Sequence, residues 1–467
     1  MRTALRTATA RTTRPSRATR RTRAALAVVA AGALALTGCG GGSDDGGKDS
    51  GDGGEKPAVT VELPKLDGEK LQVAAVWTGA EQKNFGKVLD EFEKRTGAEV
   101  SFVPTGDSIS TFLGTKIEGG EPPDVALLPQ VGALQQFAEK GWLQPADSAV
   151  REQLGKNFSQ GWQDLGAHDG EQYGVYYKAA NKSLVWYNTA AFTNAGVEEP
   201  ATWDEFLETA RTISDSGVPP VSVGGADGWT LTDWFENIYL SQAGPEKYDQ
   251  LAAHEIKWTD PSVEKALTTL GELFGDDTLL AGGKKGALQT EFPKSVTKAF
   301  EGGDAPDAAM VYEGDFVGIN IANDTKAKIG SDAKVFPFPA VGAESPVVSG
   351  GDVAVALKEG KGAQALLTFL ASTDAAAISA GAGGFISPNK ELDPETYPND
   401  VQRDIAKALI EAGDDFRFDM SDQAPASFGG TKGEGEWKVL QDFLADPEDV
   451  AGAQKALEAA AAKAYKS

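Results

Sequence analysis

The 467-residue sequence predicts an α/β protein made of two bodies behind an export leader. Three observations predict it. From residue 71 onward, short apolar runs of strand length alternate with helical stripes. That alternation resumes as a second series near residue 184. Hydrophobic residues make up 41 % of the chain, enough for two separate cores.

The first body opens with the apolar run Leu71 to Trp77. Phe85, Val88, Leu89 and Phe92 then recur at helical spacing, and Gly97 stands where a helix cap is expected. Val100 to Val103 reads as the next strand and residues 108–118 as a helix. Pro122-Pro123 breaks the chain before the strand Asp124 to Leu128, and a helix carrying Val131, Leu134 and Phe137 stops near Gly141. Such alternation predicts a parallel, doubly wound sheet. The second body begins at Leu184 to Tyr187. Thr202 with Glu205 forms a capping box before a helix bearing Phe206, Leu207, Ala210 and Ile213. Val221 to Val223, Ala308 to Tyr312, Val335 to Phe338 and Val353 to Leu357 read as strands. Gly362 to Ala371 and the alanine-rich Pro447 to Lys466 read as helices.

The leader is distinct. Eight arginines and no acids precede the apolar run Ala24 to Leu36, a basic region followed by a hydrophobic segment too short to span a bilayer. Leu36-Thr37-Gly38-Cys39 follows, and Cys39 is the only cysteine. This pattern resembles the bacterial lipobox, which implies a lipoprotein signal peptide over residues 1–38 and a lipid on Cys39. Arg20-Arg21 weakly suggests the twin-arginine route. Residues 39–58, rich in Gly, Asp and Ser, read as a disordered tether. One thiol allows no internal disulfide.

Charge and composition exclude much. Without the leader, 36 basic residues face 69 acidic ones, a net charge of −33, which argues against nucleic acid and against adhesion to anionic lipid. Membrane contact is therefore expected through the Cys39 lipid alone. Two histidines leave little for His-based catalysis or metal binding, and there is no Walker sequence. Gly381-Ala-Gly383-Gly384 lacks the third glycine of a dinucleotide fingerprint. No catalytic residue, metal or cofactor is expected. With 69 acids, a carboxylate pair for glycoside hydrolysis carries no information.

Ligands of open α/β sheets bind beyond the carboxyl ends of the strands. Here those ends offer Trp77 and Glu81, then Asp107, then Gln130. In the second body Trp229, Trp234, Tyr312, Glu313, Gly351, Asp352 and Phe385 have the same character. Indoles cover the apolar face of a pyranose while acids and amides take its hydroxyls, so this mixture suits a sugar. Each has a plainer reading. Trp186, Trp203 and Trp258 fit the core, and Trp234 fits it equally well. Trp77 and Trp229 divide evenly between pocket and core. Glu81 suits a helix start, and Asp107 and Asp352 suit turns.

Val76-Trp-Thr-Gly-Ala-Glu81, Pro122-Pro-Asp-Val-Ala-Leu-Leu-Pro129, Lys182-Ser-Leu-Val-Trp-Tyr-Asn188 and Ala201-Thr-Trp-Asp-Glu205 resemble the family 1 extracellular solute-binding proteins of bacterial ABC importers. Gly228 to Glu236, Gly244 to Asp249 and Phe416-Arg-Phe-Asp-Met-Ser-Asp422 resemble its α-glucoside-binding branch. The resemblance implies a two-lobe periplasmic-binding-protein-like fold with hinge-crossing segments. The first lobe would hold residues 59–178 and about 339–388, the second 179–338 and about 389–467. It further implies a monomeric, lipid-anchored, extracytoplasmic receptor that is not an enzyme. Such a receptor would close on a sugar and deliver it to permease subunits. Matching positions put Trp77, Glu81, Gln130, Trp229, Glu313, Asp352 and Phe385 at the cleft. Gln130 stands where maltodextrin-binding relatives carry an acid, and Gly314-Asp315 where trehalose-binding relatives carry Gly-Trp. A secreted carbohydrate-active enzyme or a surface interaction protein would use the same cleft.

Overall fold

The computed structural model describes residues 61–342, 345, 347–412 and 416–466. The signal peptide, Cys39 and the tether lie outside the described residues.

Two sheets organise the body. The first joins the parallel strands Lys70–Ala75, Glu99–Pro104 and Val125–Leu128, with Lys70–Ala75 in the middle. Val348–Ala356 extends it, antiparallel to Val125–Leu128, and pairs in turn with Gly174–Asn181 and Arg417–Phe418. The second sheet runs in the order Ala333–Pro337, Leu184–Asn188, Met310–Tyr312 and Val221–Ser222. Of its three pairings only the last is parallel. The wholly parallel sheet expected from the sequence is thus corrected to two mixed sheets. The strands that carry the chain between them return against the direction of the ones they join. Val353–Leu357, read in the second series but falling within the stretch that the resemblance gives to the first lobe, lies in the first sheet, mostly as the end of the longer strand Val348–Ala356.

The local signals hold where they are specific. Gly97 ends helix Gly79–Thr96 at φ 81°, and Phe85, Val88, Leu89 and Phe92 form its buried face. Thr202 and Glu205 make both bonds of the capping box on helix Trp203–Asp215. Hydrophobic clusters cover both faces of the first sheet, and a separate cluster centred on Trp203, Trp234, Trp258 and Phe274 fills the second body. Trp186, Trp203 and Trp258 are core.

Candidate functional site

Topology brings the site together. The parallel strands ending at Ala75, Pro104 and Leu128 point their carboxyl ends to one edge of the first sheet. The turns beyond them carry Trp77, Asp107 and Gln130. Val348–Ala356 runs the other way, so its early residues Gly351 and Asp352 reach the same edge. A register shift between Asp352 and Val353 lets the strand bend there, and Asp352 lies opposite Lys178 in the ladder. From the second sheet, the parallel strands Val221–Ser222 and Met310–Tyr312 lead into turns bearing Asp227, Trp229 and Phe316. These turns meet around a cavity of about 410 Å³.

Gly228 shows how closely its wall is fitted. It caps helix Trp229–Ala243 at φ 88°, and a Cβ there would sit 2.9 Å from Cβ of Trp437, so only glycine serves. Gly132, at the start of helix Val131–Glu139, similarly leaves no room for a methyl against the Ala424 carbonyl.

The apolar surface comes from two sides. Trp77 packs edge-on against Phe85, centroids 4.9 Å apart. Trp229, Phe292 and Phe316, from the second body, form a mutually contacting trio at 5.2–6.0 Å. Between them stand ion pairs. Lys178 donates to Glu81 at 2.9 Å and lies 3.7 Å from Asp352. Lys182 pairs with Asp233 at 3.4 Å, Asp422 at 3.2 Å and Asp419. Lys432 bridges Asp107 at 3.2 Å and Asp227 at 3.1 Å.

Burial works against the charges of Lys178, Lys182, Asp352 and Asp107. For Lys178 and Lys182 the surrounding carboxylates outweigh it and hold the ammonium groups above the usual lysine range. Asp352 is pushed up by burial against the pull of Lys178, and Asp107 by burial and the nearby Asp227. Asp315, whose Oδ1 accepts the Asn181 N–H at 2.8 Å, rises to about 7 through burial.

Trp77, Glu81, Asp107, Gln130, Trp229, Gly351 and Asp352 line this cavity. Four other candidates do not, which corrects the sequence-based expectation. Trp234 and Tyr312 pack on each other at 4.4 Å inside the second core. The Tyr312 hydroxyl donates to the backbone carbonyls of Lys182 and Asp233 at 2.8 and 2.9 Å. Glu313 is enclosed beside Asp233. Phe385 lies against Tyr177 at 5.0 Å and lines a separate space of only 20 Å³ behind Trp77. The sequence reading missed Lys178, Lys182, Asp227, Phe316, Asp422 and Lys432. Asp422 ends a motif that had been singled out, but as a mark of likeness rather than as part of the pocket.

Such a lining suits a neutral solute with one apolar face and several hydroxyls. Comparison with known proteins points the same way. The family model described as bacterial extracellular solute-binding protein matches residues 77–377. The osmoprotective compounds-binding protein GgtB of Synechocystis is 34 % identical over 386 residues, covering 81 % of this chain and 89 % of that one. The alpha-glucosides-binding periplasmic protein AglE of Rhizobium meliloti is 30 % identical over 409 residues, covering 84 % and 87 %. Among solved structures, the solute receptor AcbH superposes with a TM-score of 0.73 at 24 % identity, covering 85 % of this chain and 99 % of that one. A raffinose complex of RafE superposes at 0.68 and 17 %, covering 84 % and 98 %. These likenesses extend the two-lobe periplasmic-binding-protein-like fold over the whole body. The chain belongs to the bacterial extracellular solute-binding protein family.

Proposed function

We propose that this protein is the extracytoplasmic receptor of an ABC importer and captures an α-glucoside di- or oligosaccharide without transforming it. The cavity carries the reading: its aromatic residues, Trp77 and the Trp229 trio, are interleaved with carboxylate–lysine pairs. Indole and phenyl rings match the C–H face of a pyranose, and the fixed ion pairs accept and donate to its hydroxyls. AglE, similar over more than four-fifths of this chain, is named for alpha-glucosides, which supports the choice of sugar. The lobes are residues 59–178 with about 339–388, and 179–338 with about 389–467. Closure by a hinge would bring both walls onto the sugar. The protein acts as a monomer that presents the loaded form to permease subunits and is held at the membrane by a lipid on Cys39.

Titration calorimetry with maltose, trehalose and sucrose tests the pocket. Saturable heat with at least one of them and no hydrolysis product is expected; no binding of any overturns the reading. For the anchor, Cys39→Ser should release the protein from the membrane fraction. Undiminished retention of that variant rejects the lipid.

A further inference from the structure

Beneath one wall of the cavity lies a crowd of carboxyl groups. Asp233, Glu236, Glu313, Asp419, Asp422 and Glu436 are all at most 6 % exposed. Among the described residues the ammonium ion-paired with any of them is that of Lys182. Six negative charges against one positive charge are untenable in a dry interior, so several of these groups must keep their protons. Asp233 Oδ2 and both oxygens of Glu313 have no hydrogen-bond donor among the described residues, which an ionised carboxylate in a dry interior would need. No three His, Cys, Asp or Glu groups among the described residues are arranged to hold a metal instead.

Hydrogen bonds are shared unevenly among these acids. Asp419 accepts from Lys182, from the Ser421 hydroxyl at 2.8 Å and from the Asp422 N–H at 2.8 Å. Glu236 accepts from the Tyr248 hydroxyl and from the N–H groups of Met420 and Ser421. Asp422 has Lys182 alone, on Oδ2 at 3.2 Å. Its other oxygen has no protein partner among the described residues, and the residue lines the cavity. Other charges face it from every side. They are Asp419 on its own segment, Lys182 after strand Gly174–Asn181, Asp352 on Val348–Ala356 and Glu436 on helix Gly435–Ala445. Tyr176 and, through Lys182, Asp233 complete the surroundings.

We propose that Asp422 meets the solute as a carboxylic acid, donating its O–H to a solute oxygen rather than accepting from a hydroxyl. The assignment rests on the saccharide reading for the identity of the acceptor, a ring, bridging or hydroxyl oxygen. Burial, then the ionised Asp419 beside it, carries the Asp422 carboxyl up to about 8 despite Lys182, while the same ammonium and the hydrogen bonds it receives overcome burial to keep Asp419 at about 2. Glu81 and Asp107, each paired with a lysine, serve as acceptors across the cavity. The site thus presents a donor and acceptors made from the same side-chain chemistry, and the Phe416 to Asp422 motif acquires a role.

Infrared difference spectra of the full chain without sugar, recorded from pH 5.5 to 9, test the state of Asp422. Carboxyl absorbance titrating near pH 8 in the wild type should lose the share of one group in Asp422→Asn, the share of Glu313 remaining; Asp422→Ser serves if the first variant folds poorly. A band already lost at pH 6 overturns the proposal. Calorimetry with maltose, trehalose and sucrose tests the contact. Wild-type affinity should fall about tenfold per pH unit above the titration, and Asp422→Asn should remove that dependence whatever its absolute affinity. An unchanged pH slope in the variant overturns the donor role. If the wild type binds none of the three, the saccharide reading fails, and the infrared band alone decides the state of Asp422.

Discussion

Lys178 and Lys182 stand four residues apart at one end of the same crossing segment, yet their surroundings differ in kind. Lys178 serves Glu81, whose side chain keeps 27 % of its exposure, and Asp352; all three touch the cavity. Lys182 faces Asp233 and Asp419, both fully enclosed, and only Asp422 opens to the solute. The first cluster can exchange partners with a ligand at small cost, since water reaches its acid. The second is a rivet joining the strand end to helix Trp229–Ala243 and the Phe416 to Asp422 segment. Position along a strand thus sets whether an ion pair serves recognition or cohesion.

Removing each ammonium separates the two most sharply. Lys182→Met strands buried carboxylates without their cation and should cost about 3–5 kcal/mol in urea unfolding. Lys178→Met should cost less stability, because Glu81 can rehydrate, and should lower sugar affinity more. Equal losses of stability would erase the distinction.

The aromatic walls give the next effect. Trp77→Ala and Trp229→Ala should each weaken sugar binding by about 2–4 kcal/mol in calorimetry. Trp77 is also packed against Phe85 and Tyr177, so its loss should lower the melting temperature as well, whereas half-buried Trp229 should affect it less. Normal binding by both variants once folded would place the sugar elsewhere.

The enclosed acids are read through pH rather than through substitution. Burial lifts Glu313 to about 8 and Asp315 to about 7, and burial with Asp419 lifts Asp422 to about 8. Raised acids hold protons in the folded state that the unfolded chain has released. Their contribution is full below about pH 4 and is lost as pH climbs through 7 and 8. Stability should therefore fall from pH 5 to pH 8, read from urea midpoints. A rise over that window contradicts the assignment.

Much of the first wall was legible because parallel strands deliver their carboxyl ends to one edge, so Trp77, Asp107 and Gln130 followed from strand positions alone. Trp234 misled for a reason of helix geometry. It lies five residues after Trp229, about 140° around helix Trp229–Ala243, so a cavity-facing Trp229 turns Trp234 into the core. Thr232, three residues on from Trp229, comes back to the cavity. The lysines were illegible for another reason. All eight residues of Gly174–Asn181 are buried, so the strand has no polar–apolar alternation to single out Lys178. The partners that keep Lys178 and Lys182 charged come from segments up to 240 residues away. Tyr312 and Glu313 end a strand as a binding residue would, but the neighbouring helix closes over them.

The cavity residues fall into two classes by their place on the backbone. Trp77, Asp107, Gln130, Trp229 and Phe316 sit in turns beyond strand ends, where one can be exchanged without disturbing a hydrogen-bonded ladder. Descent could retune such a receptor from one solute to another through those turns alone, each change nearly independent of the others. Lys178 and Asp352 are ladder residues, facing each other across two strands at a register shift. Changing one strands the charge of the other, so this pair is the part of the site least open to exchange.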